Sequence, residues 1–222
     1  MQPKKKVIAY FDGFNYYEAL RSKRWRHYYW QDLTAFATLF LKDYQELVAV
    51  RYFSAIQHDV EKAANQDKLF QINRANPKFN LVLGEFKRRQ KWKRLECSSC
   101  KKRDGYKVEH WEEKKSDVAL ASFLIRDVAL KQCDTAFLFS ADSDMTPAVD
   151  VVRELNPSIK IIAYFPPGLT SFDLNSKCTK TIKLENHEEK FKASRFADKV
   201  LLPDGFELEC PAKWSITTAT KN

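Results

Sequence analysis

Short apolar runs punctuate the chain, and each ends in polar residues. Val7-Ile8-Ala9-Tyr10-Phe11 is the first, and it passes directly into Asp12-Gly13-Phe14-Asn15. Residues 47–54, 79–86, 135–139 and 159–164 repeat the theme. Apolar runs of this length, rich in β-branched and aromatic residues, read as strands buried on both faces. Between them the spacing changes to helical. Asp32 is placed to cap a helix carrying Leu33, Phe36, Ala37 and Phe40 at i, i+3, i+4 and i+7. Residues 58–76 are polar with Leu69 and Ile72 on one side, and Pro77 stops them. Residues 116–131 carry a stripe of Ala121, Leu124, Ile125 and Val128. Residues 145–155 carry Met145, Ala148, Val149 and Val152, with Pro147 in the first turn, where it is tolerated. Strands alternating with helices predict a three-layer α/β/α fold around a central, mostly parallel sheet.

The pattern weakens after Lys183. Residues 1–184 read as one domain, and residues 185–222 as a polar C-terminal extension with a turn at Pro203-Asp204-Gly205. A length of 222 residues with 44% hydrophobic residues suits that organisation. Lys4-Lys5-Lys6 followed by apolar residues resembles the start of a signal peptide, but the run ends at Asp12 and no small-residue cleavage site follows. No stretch approaches the ~20 apolar residues of a membrane span. Five cysteines, an odd number, argue against a secreted disulfide scaffold. The expectation is a soluble, cytoplasmic protein with no membrane partner.

Charge sharpens this picture. The chain carries a net +9, and residues 87–107 alone hold ten Lys/Arg against Glu96 and Asp104, a net of +8. This insert, residues 87–111, lies between the third strand and the helix at 116. Its residues 91–95 and 106–108 are expected to form the arms of a hairpin. Lys87, Arg88, Arg89, Lys91, Lys93, Arg94, Lys101, Lys102 and Arg103 would neutralise phosphates, and Trp92 would stack on unpaired bases. Arg21-Ser22-Lys23-Arg24-Trp25-Arg26 mixes four more cations with an aromatic ring. The insert also holds Cys97-Ser98-Ser99-Cys100. Half of a zinc site, a redox pair and two plain thiols all stay open. Structural zinc is the weaker expectation, because a closed site needs four ligands and His110 is the only third one nearby. The fourth would come from elsewhere or from a partner copy, which leaves a homodimer open.

Acidic residues fall at matching ends of the elements. Asp12 follows the first strand, Asp117 opens the helix at 116, and Asp142 and Asp144 follow the strand at 135–139. Ligands in open α/β sheets bind beyond the carboxyl ends of the strands. Asp117 favours the helix dipole, and either Asp142 or Asp144 serves as a cap, but one cap is enough. Carboxylates meeting in one cleft need a compensating cation. Hard oxygen donors suit Mg²⁺ or Mn²⁺, which polarise phosphoryl oxygens and activate water.

Three motifs in order carry a family resemblance: Phe11-Asp12-Gly13-Phe14-Asn15, Glu113-Lys114-Lys115-Ser116-Asp117-Val118-Ala119-Leu120-Ala121, and Phe139-Ser140-Ala141-Asp142-Ser143-Asp144-Met145-Thr146-Pro147. Together they resemble the NYN domain, a branch of the PIN-like nucleases, over roughly residues 6 to 184. Ser116 and Ala141 replace residues that are often glycine or threonine-like in relatives, and neither change removes a carboxylate. The resemblance implies a PIN-like fold and metal-dependent cleavage of RNA. It assigns Asp12, Asp117, Asp142 and Asp144 to catalysis and to Mg²⁺ or Mn²⁺, and Asn15 to holding the loop or a substrate phosphate. The rival from another class is an RNA-binding regulatory module with weak or no catalysis. A haloacid-dehalogenase-type phosphotransferase ranks lower, because its second aspartate would fall at position 14, which is Phe.

Overall fold

The computed structural model describes residues 3–96 and 103–216. β1 (Lys5–Asp12) is buried from Val7 onward, and alternate side chains leave it on opposite faces. Val7, Ala9 and Phe11 enter one core; Ile8 and Tyr10 enter the other. The two cores are the two helical layers. α1 (Gly13–Ser22), α2 (Leu33–Thr38) and α3 (Val60–Arg74) cover the first. α4 (Ser116–Ala129), α5 (Thr146–Leu155) and α6 (Phe172–Lys177) cover the second. α2 starts where expected because Asp32 caps it, its Oδ1 accepting from Ala35 N at 2.8 Å; Asp59 caps α3 in the same way, its Oδ1 accepting from Lys62 N at 2.9 Å.

The strands between them are β2 (Gln45–Ser54), β3 (Phe79–Leu83), β6 (Thr135–Phe139), β7 (Lys160–Phe165) and β8 (Lys180–Lys183). With β1 they form a six-stranded sheet in the order β3-β2-β1-β6-β7-β8, and every pairing is parallel. Chain order runs outward in one direction from β1 and in the other from β6. The switch point therefore lies between those two strands, where a cleft opens. Rings lock the sheet next to it: Phe11 stacks on Phe139 at 4.0 Å, and Phe139 on Tyr164 at 4.6 Å.

The apolar run at 79–86 divides at Gly84. Beyond it β4 (Glu85–Glu96) and β5 (Arg103–Lys114) form a separate antiparallel hairpin, with arms longer than the sequence pattern predicts. A Cβ at Gly84 would lie 2.4 Å from the Lys114 carbonyl oxygen, so the two hairpin feet meet where only glycine fits. The hairpin docks through Trp111, which stacks on His58 at 4.6 Å.

Residues after Lys183 pack on the α1–α3 face. α7 (Glu188–Ala193) places Phe191 in that core, β10 (Glu207–Glu209), paired with β9 (Lys199–Leu201), places Leu208, and a 3-10 turn at Ala212–Trp214 places Trp214. Asp32 N donates to the Ser194 carbonyl at 2.8 Å, and Trp30 Nε1 to the Ala197 carbonyl at 2.8 Å. Among the described residues, no helix is long and apolar enough to cross a membrane.

Candidate metal centre

Asp12 ends β1 and caps α1. Its Oδ1 accepts from Asn15 N at 3.0 Å and its Oδ2 from the Ser140 hydroxyl at 2.9 Å. Each oxygen keeps lone-pair capacity after those bonds. Asp142 follows β6, the strand beside β1, and its Oδ1 accepts from Asp144 N at 3.0 Å. Asp117 stands in the first turn of α4. The chain enters that helix through Lys115, whose φ of 76° is a left-handed conformation that non-glycine residues rarely adopt. The three carboxylates meet: one oxygen from each of Asp12, Asp117 and Asp142 lies within 4.8 Å of the others.

Asp144 stands outside this group of three and is exposed. It is near enough to raise the proton affinity of Asp117. Asn15 ties two loops together: its backbone N–H serves Asp12, and its side-chain Oδ1 accepts from Ala141 N at 3.1 Å. Glu113, at the foot of β5, is a further carboxyl at the site. It sits in the second motif, but the sequence reading gave it no role because a hairpin strand has no helical or apolar period to aim it. Its Oε1 accepts from the Ser116 hydroxyl, and it is in the field of both Asp12 and Asp117.

Crowding shows in the proton affinities. Burial pushes Asp12 up to about 6; its bonds to Asn15 and Ser140 oppose that, and Asp117 and Asp142 add to it. Burial pushes Glu113 up to about 7, the Ser116 bond opposes that, and Asp12 and Asp117 add to it. Asp117 is raised by burial first, then by Asp142 and Asp144. Among the described residues none of Asp12, Glu113, Asp117 and Asp142 forms an ion pair with a Lys or Arg. An all-carboxylate donor set without a compensating cation fits a hard divalent ion.

The insert reaches outward from this site. Alternation along β4 and β5 puts Trp92 and Trp111 on one face with Arg88, Arg94 and Lys107. The other face carries Lys87, Arg89, Lys91 and Lys93 with Tyr106. These cations are exposed along the described part of the arm. Lys87 pairs with Glu85 at 3.1 Å, and Arg88 with Glu109. Arg103 is the first residue of β5. Cys97, Cys100, Lys101 and Lys102 lie outside the described residues.

A parallel α/β/α sheet with carboxylates gathered at its switch point is consistent with a PIN-like domain. The NYN domain profile matches residues 6–185, and the chain belongs to that family. No curated protein matches it. Among solved structures, the crystal structure of a protein of unknown function from Vibrio parahaemolyticus is similar, with a TM-score of 0.53 and 18% identity over 82% of this chain and 94% of that one. That likeness is one of fold.

Proposed function

We propose that this protein is a cytoplasmic, metal-dependent endoribonuclease. The observation that carries the reading is the convergence of Asp12, Asp117 and Asp142 within 4.8 Å at the switch point of the sheet. These three would hold Mg²⁺ or Mn²⁺, with Asp144 and Glu113 contributing charge from the periphery. When bound, such an ion supplies Lewis-acid polarisation of a phosphoryl oxygen and a lowered pKa for water. The remaining work falls to the chain. Ser140 and Asn15 fix the Asp12 carboxylate, so it needs no reorganisation to receive a cation. Ser116 fixes Glu113. The exposed cations of β4 and β5 hold the strand through its phosphates, and Trp92 offers a stacking face.

The test is incubation of the purified chain with Mn²⁺ and single-stranded RNA, structured RNA or DNA, beside Asp12→Asn and Asp142→Asn. The expected result is RNA cleavage that needs the metal and falls at least about a hundredfold in either variant. Binding that needs neither the metal nor the aspartates, without cleavage, would instead make the chain an RNA-binding module. Metal analysis of protein purified without chelator tests zinc at Cys97 and Cys100.

A further inference from the structure

Beside the carboxylates, between α1 and α3, lies a pocket of about 370 Å³. It begins at Gly13, the residue after Asp12. A Cβ at Gly13 would meet the Tyr52 ring at 2.8 Å, so that ring is packed directly against the turn that carries Asp12. Tyr52 is in the field of Glu113 and Asp12, and also of Tyr17, which lines the same pocket. The pocket and the carboxylate group therefore share a wall.

The walls follow from helical spacing. Phe14, Tyr17 and Arg21 recur at i, i+3 and i+7 along α1 and line the pocket; Lys62 and Asn65 line it from α3. Tyr17 stacks on Tyr29 at 4.6 Å, and Trp214 meets Tyr29 edge-on at 5.4 Å. Arg21, Arg26, Lys62 and Lys213 bring cations to the lining; Arg21 pairs with Glu18 and Lys213 with Glu61, which leaves Arg26 and Lys62 as the cations without an ion pair among the described lining residues. Its acids are engaged locally: Glu61 pairs with Lys213 at 2.7 Å, and Asp59 caps α3. Lys213 and Trp214 lie beyond residues 6–185, so the C-terminal segment completes a wall that the family match does not include.

We propose that this pocket takes the base and phosphate of one unpaired nucleotide of the RNA strand, next to the phosphate held at the carboxylates. The volume suits a small-ligand pocket of about 300–1,000 Å³. Aromatic walls accept the flat face of a base, and guanidinium and ammonium groups at the same lining accept its phosphate. A base can enter such a slot only when it is not stacked in a duplex, so the substrate is single-stranded at this position. This rests on the RNA-directed reading above and adds the strand class to it.

The experiment uses the full chain carrying Asp12→Asn, without metal, so that no strand is cut. Calorimetry measures binding of the four nucleoside 5′-monophosphates, of ribose 5-phosphate, of a single-stranded oligoribonucleotide and of an RNA duplex. At least one nucleotide is expected to bind about tenfold tighter than ribose 5-phosphate. Adding Tyr17→Ala, or separately Lys62→Glu, is expected to weaken that nucleotide and the single strand about tenfold, and to leave the duplex unchanged. Lys62 is exposed, so its variant remains informative even where Tyr17→Ala loosens the ring stack. Equal binding of ribose 5-phosphate, or no nucleotide binding, overturns the proposal. So does loss of nucleotide binding with strand binding intact, which makes the occupant a free nucleotide. Wild type that cuts nothing while the binding pattern holds sinks the nuclease reading and keeps the pocket. Aspartate-dependent cutting that Tyr17→Ala and Lys62→Glu leave unchanged does the reverse.

Discussion

The Ser140 hydroxyl donates a 2.9 Å hydrogen bond to Asp12 Oδ2, across the boundary between β6 and β1. The Ser140 Oγ also accepts from Asp142 N at 3.0 Å, so one wholly buried side chain ties Asp12 to the backbone that carries Asp142. Ser140→Ala leaves a buried carboxylate oxygen and a backbone N–H without their partner. The expected cost is about 1–3 kcal/mol of stability, read by denaturant unfolding. Mn²⁺ affinity, read by calorimetry on the folded variant, should fall about tenfold as Asp12 loses its fixed orientation. Unchanged affinity would show that Ser140 serves the fold alone.

Proton affinities at the site fix a pH dependence. Asp12 rises from an ordinary 3.8 to about 6, and Glu113 from 4.5 to about 7. Carboxyls whose folded-state pKa lies above the unfolded value favour folding while protonated. Their contribution is complete below pH 4 and is lost as pH rises through about 6 and about 7. For Asp12 the loss is about 3 kcal/mol. Unfolding of the metal-free chain, measured from pH 4 to 8, should show this decline, and Asp12→Asn should remove its share. Because cation and proton compete for the same oxygens, Mn²⁺ should bind more tightly as pH rises through 6 to 7 and flatten the decline.

The parts of this fold with a strong local period were legible in the sequence. Strands buried on both faces have no polar positions to confuse them, and the aspartate caps announce the helices. Asp12 and Asp142 were legible because a parallel sheet puts every strand's carboxyl end on one side; Asp117 reaches them from the first turn of α4, and Asp144 stands outside the group of three. Glu113 was not, because its position depends on how the hairpin feet converge at Gly84. β8 was missed because Lys180 and Lys183 bracket only two partly buried residues of an edge strand. Phe191, Leu208 and Trp214 are single apolar residues in polar surroundings, so nothing local signals that they join the core. Trp214 also lines the pocket beside α1, which was hidden for the same reason.

Phosphate contacts release counterions, so the exposed cations of the hairpin predict a salt dependence. Arg89, Lys91 and Lys93 share one face. Replacing all three with alanine should weaken binding of single-stranded RNA and lower the slope of log affinity against log salt by about 2, at about 0.7 per phosphate contact. Fluorescence anisotropy from low to moderate salt reads both effects. A changed affinity with an unchanged slope would mean that these residues act by shaping the hairpin rather than by meeting phosphates.

A buried carboxylate away from the site tests whether stability and the metal centre separate. Asp127, in the last turn of α4, is wholly buried and accepts from Tyr10 Oη at 2.8 Å, Arg51 Nε at 2.5 Å and Arg126 Nη2 at 2.8 Å. Asp117 lies ten residues earlier on the same helix, about 15 Å away at 1.5 Å per residue. Asp127→Ala strands the largely buried Arg51 guanidinium without its counter-charge, and the expected loss is about 3–5 kcal/mol. Asp127→Asn keeps an acceptor for Tyr10 and should cost less. Where the variants remain folded, both should bind Mn²⁺ as wild type does, because neither touches the β1 and β6 ends. Thermal unfolding with and without Mn²⁺ reads both quantities. A fall in metal affinity that tracks the fall in stability would show that α4 transmits strain along its length to Asp117.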